Sequence, residues 1–269
     1  MTSSQSKPGR RLTWEWNHYA EKWLDGQRQQ LWRRHSDAVN ARMIGAWLPP
    51  GRVHRILKTD LFDEVVTEGL HKLIEGRADV VIGMDVSTRI LAAAAHRHER
   101  LSCLGADVRS LPIADGCIDA VVSLSTLDHF DSIDGLRDSL AELWRILAPG
   151  GVLLLTLDNF ANPVVALRNS LPYALTHAAR LVPYPIGKTG GPSRVCRLVE
   201  DAGFTVETCT AIMHAPRVLA IPVLNMLGRI SDGAFLASVA RMLLGFERLG
   251  LAPTRFLTGH FIAIRASKP

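Results

Sequence analysis

Three acidic residues each stand at the end of a short strand-like run: Asp60 just past Val53–Lys58, Asp85 in Val-Ile-Gly-Met-Asp, and Asp107 after Leu101–Ala106. A carboxylate at the end of a buried strand can accept both hydroxyl hydrogens of a ribose, and Asp85 is placed for that role. It could equally cap the helix that follows, and one carboxylate can do both. A fourth apolar run, Ile118–Leu124, leads into Ser-Thr-Leu-Asp128-His129-Phe130. A histidine beside an acid at a strand end can take a proton from an attacking hydroxyl near neutral pH. His129 could also simply brace its loop through hydrogen bonds. Asp158 closes a fifth run, Val152–Leu157, and occupies the equivalent topological place.

These positions matter only if the runs are strands of one sheet. Between them lie amphipathic segments: Phe62 to Ile74, Thr88 to His98 behind a capping Ser87, and a stripe from Leu136 to Leu147 that ends at Pro149-Gly150. Strands apolar on both faces and alternating with helices predict a doubly wound, mostly parallel sheet of about seven strands, covered by helices on both sides. In such sheets ligands bind beyond the carboxyl ends of the strands. Phe204–Met213 and Phe256–Ala266 read as the last two strands.

Residues 1–11 read as a disordered tail and 12–50 as an aromatic helical lid, with Trp16, Tyr19 and Trp23 on one face. All tryptophans but Trp144 lie before residue 48. Residues 51–269 form the main domain, with helical insertions at about 160–190 and 217–250. The composition, 47% apolar and 21% charged, is that of a globular protein. A net charge of +5 permits an anionic partner without demanding one. The basic residues form no stripe interleaved with aromatics, which argues against nucleic acid. Cys103, Cys117, Cys196 and Cys209 show no metal-binding or redox spacing, so no metal is expected. The expected location is cytoplasmic, as no apolar leader and no membrane-length run is present.

The stretch Leu111-Pro-Ile-Ala-Asp115-Gly-Cys-Ile-Asp119-Ala-Val-Val, followed by Ala148-Pro-Gly-Gly151, resembles the back half of a class I S-adenosylmethionine-dependent methyltransferase domain. The resemblance runs over about residues 53–160. Ser-Thr-Leu-Asp128-His129 is similar to the acid–histidine segment of ubiquinone- and menaquinone-type members. The resemblance implies S-adenosylmethionine as cofactor. Asp60, Leu61, Asp85, Val86, Asp107, Val108, Ser123, Leu124 and Tyr19 would bind it, with Asp107 and the Val108 amide reading the adenine. His129, Asp128 and Asp158 would serve the reaction. Tyr184 and His214, in the part that varies with substrate, would meet the acceptor.

One element departs from the family. The turn after the first strand reads Lys58-Thr-Asp-Leu-Phe-Asp-Glu64, without the glycines that let a backbone approach the cofactor's carboxylate. Two readings follow. The chain is a methyltransferase acting on a small apolar or amphiphilic acceptor, most simply at oxygen, or it is a methyltransferase-like binding subunit without catalysis. Arginines among the apolar pieces at 217–250 also allow contact with an anionic membrane surface.

Overall fold

The computed structural model describes residues 13, 15–21, 30–178, 187, 189–230 and 233–269. The expected tail at 1–11, Trp23 and Tyr184 lie outside the described residues. Residues 15–21 are helical, and α1 (Gln30–Trp47) follows. The alternating part runs β1 (Val53–Lys58), α2 (Phe62–Val66), α3 (His71–Glu75), β2 (Ala78–Asp85), α4 (Thr88–Arg97), β3 (Leu101–Gly105), β4 (Ile118–Leu124), α5 (Ile133–Ile146) and β5 (Leu147–Asp158). Then come α6 (Pro163–Ser170), α7 (Tyr173–Ala178), α8 (Pro192–Asp201), β6 (Thr205–Ile212), α9 (Arg217–Ile230), α10 (Gly233–Gly245), α11 (Arg255–Thr258) and β7 (Phe261–Ser267).

The strands form one sheet in the order β3-β2-β1-β4-β5-β7-β6, parallel except for β7, which runs antiparallel to both neighbours. This is the doubly wound sheet that the sequence predicts. The order reverses between β1 and β4, so their carboxyl ends part and open a crevice. Alternation along β5 shows the two layers. Val152 and Leu154 face a core shared with α1, α4 and α9, whereas Leu153, Leu155 and Leu157 face one shared with α5 and α8.

The expected single helix from Phe62 to Ile74 is two short ones. Their break has a physical cause. Lys58, the last residue of β1, is buried with its Nζ 2.8 Å from Glu64 Oε2, and it also donates to the Asp60 carbonyl at 2.6 Å. Burial opposes the charged ammonium, but the carboxylates of Asp60, Glu64 and Asp63 outweigh it and hold Lys58 above its ordinary range. Glu64 Oε1 accepts the Leu70 amide at 3.0 Å, which folds the chain back over Glu64. Gly69, at φ +62°, allows the fold-back, since a Cβ there would meet Glu64 Cα at 2.8 Å.

A second close approach fixes Leu61. Its side chain is fully buried and fills the space left open by Gly83 of β2, where a Cβ would come within 2.5 Å of Leu61 Cδ2. The missing glycine of the first turn is thus matched by a glycine in the neighbouring strand.

Glu64→Gln leaves the Lys58 ammonium buried with its nearest counter-charge gone. A loss of about 3–5 kcal/mol is expected on breaking such a pair. Urea unfolding at pH 7 measures it, and a loss below about 1 kcal/mol would contradict the role given to this pair.

Candidate functional site

The carboxyl ends of β1, β2, β3 and β4 open into a cavity of about 240 Å³. The helical residues 15–21 and α1 cover it. Of the residues expected to bind cofactor, Tyr19, Asp60, Asp85, Val86, Asp107, Val108 and Leu124 line it. His129 lines it too. Leu61 lies behind the wall, against Gly83. Ser123 is also behind the wall, where its Oγ accepts from Thr59 Oγ1 at 2.9 Å.

Asp85 ends β2, the strand beside β1 on one flank of the reversal point. Its Oδ1 accepts the Ser87 amide at 2.8 Å and its Oδ2 the Leu61 amide at 3.2 Å. Burial raises its pKa to about 7, against these amide bonds, and the nearby Asp60 charge adds to the rise. Asp107 is gripped by Arg109, whose Nε reaches both carboxylate oxygens at 3.0 and 3.1 Å. Burial alone would raise Asp107, but the Arg109 hydrogen bonds hold it below the ordinary carboxylate range. The Arg109 guanidinium lies 4.9 Å over the Phe130 ring, at the cavity edge.

Three amides of the turn after β1 are spent internally. Thr59 N–H donates to Val122 O at 3.1 Å, Leu61 N–H to Asp85, and Phe62 N–H to Asp60 Oδ1 at 3.0 Å. What faces the cavity from α1 is instead a helical stripe, Arg33, Ser36 and Asn40, together with Trp32. The sequence reading passes over these residues, as it does Thr59, Thr126, Thr156 and Arg217, which also line the cavity. Polar residues spaced along an amphipathic helix look solvent-facing until the partner surface is known.

The roof is latched to α4. Ser87 Oγ donates to Asn17 Oδ1 at 2.7 Å, and Asn17 Nδ2 donates to Thr88 Oγ1 at 3.1 Å. Trp16 meets the His129 ring edge-on, with centroids 5.0 Å apart. Below His129, Asp128 is buried, with Oδ1 3.8 Å from His129 Nε2 and Oδ2 accepting from Ser125 Oγ at 2.8 Å. Burial raises Asp128, although the neighbouring His129 opposes this. Ser125 adopts φ +50°, and its amide donates to Thr156 O at 3.0 Å. Such backbone strain in a non-glycine residue tends to accompany functional loops.

Two expected site residues lie elsewhere. The Asp158 carboxylate binds Arg168 Nη2 and accepts from Asn169 Nδ2 at 2.9 Å, so it anchors α6 to the end of β5 and does not line the cavity. His214 is buried between Thr258 Oγ1, 2.8 Å from Nδ1, and the Ala211 carbonyl, 3.0 Å from Nε2. It ties β6 to α11. Among the described residues no group of three His, Cys, Asp or Glu could hold a metal ion.

Residues 65–155 match the methyltransferase domain family. The chain is 25% identical over 187 residues to a protein of Mycolicibacterium smegmatis named "probable S-adenosylmethionine-dependent methyltransferase", covering 69% of this chain and 64% of that protein. It is 32% identical over 130 residues to a malonyl-[acyl-carrier protein] O-methyltransferase of Enterobacter lignolyticus, covering 48% of this chain and 47% of that one. Its fold is that of the solved S-adenosylmethionine-dependent methyltransferase of Mesorhizobium loti, with a TM-score of 0.58, 14% identity, and coverage of 87% and 100%. Residues 65–155 thus carry a methyltransferase domain, set in a fold shared with solved S-adenosylmethionine-dependent methyltransferases. The matches span between about half and just under two thirds of these curated relatives' own length.

The residues fit the family's cofactor. Asp85 presents a carboxylate to the cavity at the end of β2, and Val86, Ile90 and Val108 line an apolar stretch of it next to Asp107. Asp85 also has a measurable signature without ligand. Because its folded value near 7 lies above the ordinary carboxylate value, the folded state holds a proton that the unfolded chain releases. Its contribution is therefore fully present below about pH 4 and lost as pH rises through 7. Asp85→Asn should show a shallower fall in urea-unfolding free energy between pH 4 and 8 than the parent. Parallel curves would contradict the value near 7.

Proposed function

We propose that the chain binds S-adenosylmethionine in this cavity and transfers its methyl group to an oxygen of a small apolar or amphiphilic acceptor. The observation that carries the reading is the pair of carboxylates, Asp85 and Asp107, lining one cavity at the ends of adjacent strands. When bound, the cofactor supplies a sulfonium-activated methyl group. Asp85 accepts the ribose hydroxyls, and Asp107 accepts from the adenine amine. Trp16 and Tyr19 exclude water from the mouth.

His129 faces the cavity and is the residue placed to receive a proton from an acceptor hydroxyl. Asp128, out of contact with the cavity, lies 3.8 Å from the imidazole Nε2 and positions the ring. Positioning carries most of the rate, because the methyl donor is already a strong electrophile. The name of the Enterobacter relative, an O-methyltransferase, supports oxygen as the acceptor atom.

The acceptor class rests on the helices at the same edge of the sheet. Leu167 of α6, Leu219, Val223 and Met226 of α9, and Met242 of α10 are half exposed or more. Large exposed apolar surface near a cavity suits an apolar ligand or an amphiphile. The same helices carry arginines and, within their described residues, no carboxylate, which suits an anionic lipid surface. No helix among the described residues is long and apolar enough to cross a membrane. Co-sedimentation with phosphatidylglycerol vesicles at low salt is expected, with release at 0.5 M salt (about three times the physiological ionic strength). Absence of binding at low salt would remove the membrane surface from the reading.

A second reading has its own observation. The Leu61 and Phe62 amides of the first turn are engaged within the protein, which favours a methyltransferase-like binding subunit. Calorimetry with S-adenosylhomocysteine separates the two. Binding in the micromolar range, weakened about tenfold or more by Asp85→Ala with little change in unfolding midpoint, is expected from the loss of charge-assisted bonds. No binding at millimolar ligand would favour the subunit.

A further inference from the structure

The amino-acid end of S-adenosylmethionine carries a carboxylate and an ammonium. A glycine-rich first turn would meet that carboxylate with backbone N–H groups. Here the Leu61 and Phe62 amides donate to Asp85 and Asp60, and Leu61 is buried against Gly83. The carboxylate therefore needs another donor at the same end of the cavity.

The cations near the cavity can be compared in turn. Lys58 is buried, donates to the Asp60 carbonyl and Glu64, and does not line the cavity. Arg217, at the start of α9, lines the cavity on the side of Phe261 and β7, away from the first turn, where burial and then the Arg217 charge depress His260. Arg33 lines the cavity beside the first turn. Its side chain is 13% exposed, its Nη1 lies 3.1 Å from Asp63 Oδ1, and its guanidinium is 4.6 Å over the Phe62 ring. These contacts fix the guanidinium plane at the start of α2. Ser36 and Asn40 extend the same polar wall along α1.

We propose that Arg33 binds the cofactor's carboxylate in place of the absent glycine turn, with Asp63 beside it to receive the ammonium. A guanidinium presents five N–H donors in a planar fork and can serve two carboxylates together. The zwitterion then meets an ion pair of matching polarity, and the site stays neutral. The first turn is free to hold Asp85 instead of the ligand. The proposal rests on the methyl-transfer reading of the cavity.

The test compares S-adenosylhomocysteine with 5′-methylthioadenosine, which keeps the nucleoside and sulfur but lacks the amino-acid end. Both are titrated calorimetrically into the full chain and into Arg33→Met. The expected result is a loss of about ten- to a hundredfold for S-adenosylhomocysteine, the size of a charge-assisted interaction. Methylthioadenosine affinity should stay within about twofold of the parent, which also reports an intact nucleoside site. Arg33→Lys should recover part of the loss, and it carries the comparison if Arg33→Met does not fold. Equal weakening of both ligands, or no weakening of either, would overturn the assignment of Arg33 alone. Failure of the parent chain to bind either ligand would overturn it together with the methyl-transfer reading.

Discussion

The buried contact between Lys58 and Glu64 is the constraint around which the first half of the molecule is arranged. A cation at the end of a central strand cannot be left alone in the interior, so the chain that follows must return a carboxylate to it. Glu64 does so from the first turn of α2. The Asp60 carbonyl takes a second ammonium proton, and this bends the turn. The helix cannot continue, because Glu64 is also bound to the Leu70 amide. A short helix, a glycine fold-back and a second short helix are the outcome.

That arrangement redistributes tasks within the crevice. A turn occupied with its own side chains offers no open cradle of amides, so more of the binding surface has to come from outside the sheet. The wall formed by α1, with its stripe of Arg33, Ser36 and Asn40, supplies polar groups on that side. Asn17 and the Ser87 cap join the N-terminal helical residues to α4, so the roof is tied to the same edge as the carboxylates. The N-terminal segment is thereby part of the cavity and not merely an appendage packed beside it.

Much of the framework was readable from periodicity. The boundaries of β1 and β4 agree with the apolar runs Val53–Lys58 and Ile118–Leu124, because strands buried on both faces leave an uninterrupted signal. Asp85 and Asp107 were expected at strand ends beside a crevice, and both line the cavity. The rest was hidden for identifiable reasons. Lys58 closes an apolar run and reads as its solvent-facing end, since nothing local shows that Glu64 will reach it. Asp158 shares the topological place of Asp85, but Arg168 and Asn169, ten and eleven residues on, claim its carboxylate. His214 becomes a tie between β6 and α11 only through Thr258, far along the chain. Contacts between distant residues decide which strand-end acids remain available to a ligand.

The interlock of Leu61 with Gly83 bears on how such a chain can change over time. The two positions lie in different strands' neighbourhoods, yet they share one volume. Enlarging Gly83 first would drive a new methyl into a fully buried leucine, whereas shrinking Leu61 first leaves only a void. Substitutions at the pair are thus epistatic, and their order is constrained. An ancestor or descendant with a glycine in the first turn is connected to this sequence through a cavity-bearing intermediate. Loss or recovery of that glycine should be accompanied by a complementary size change at position 83, a pairwise covariation that would trace this branch of the family.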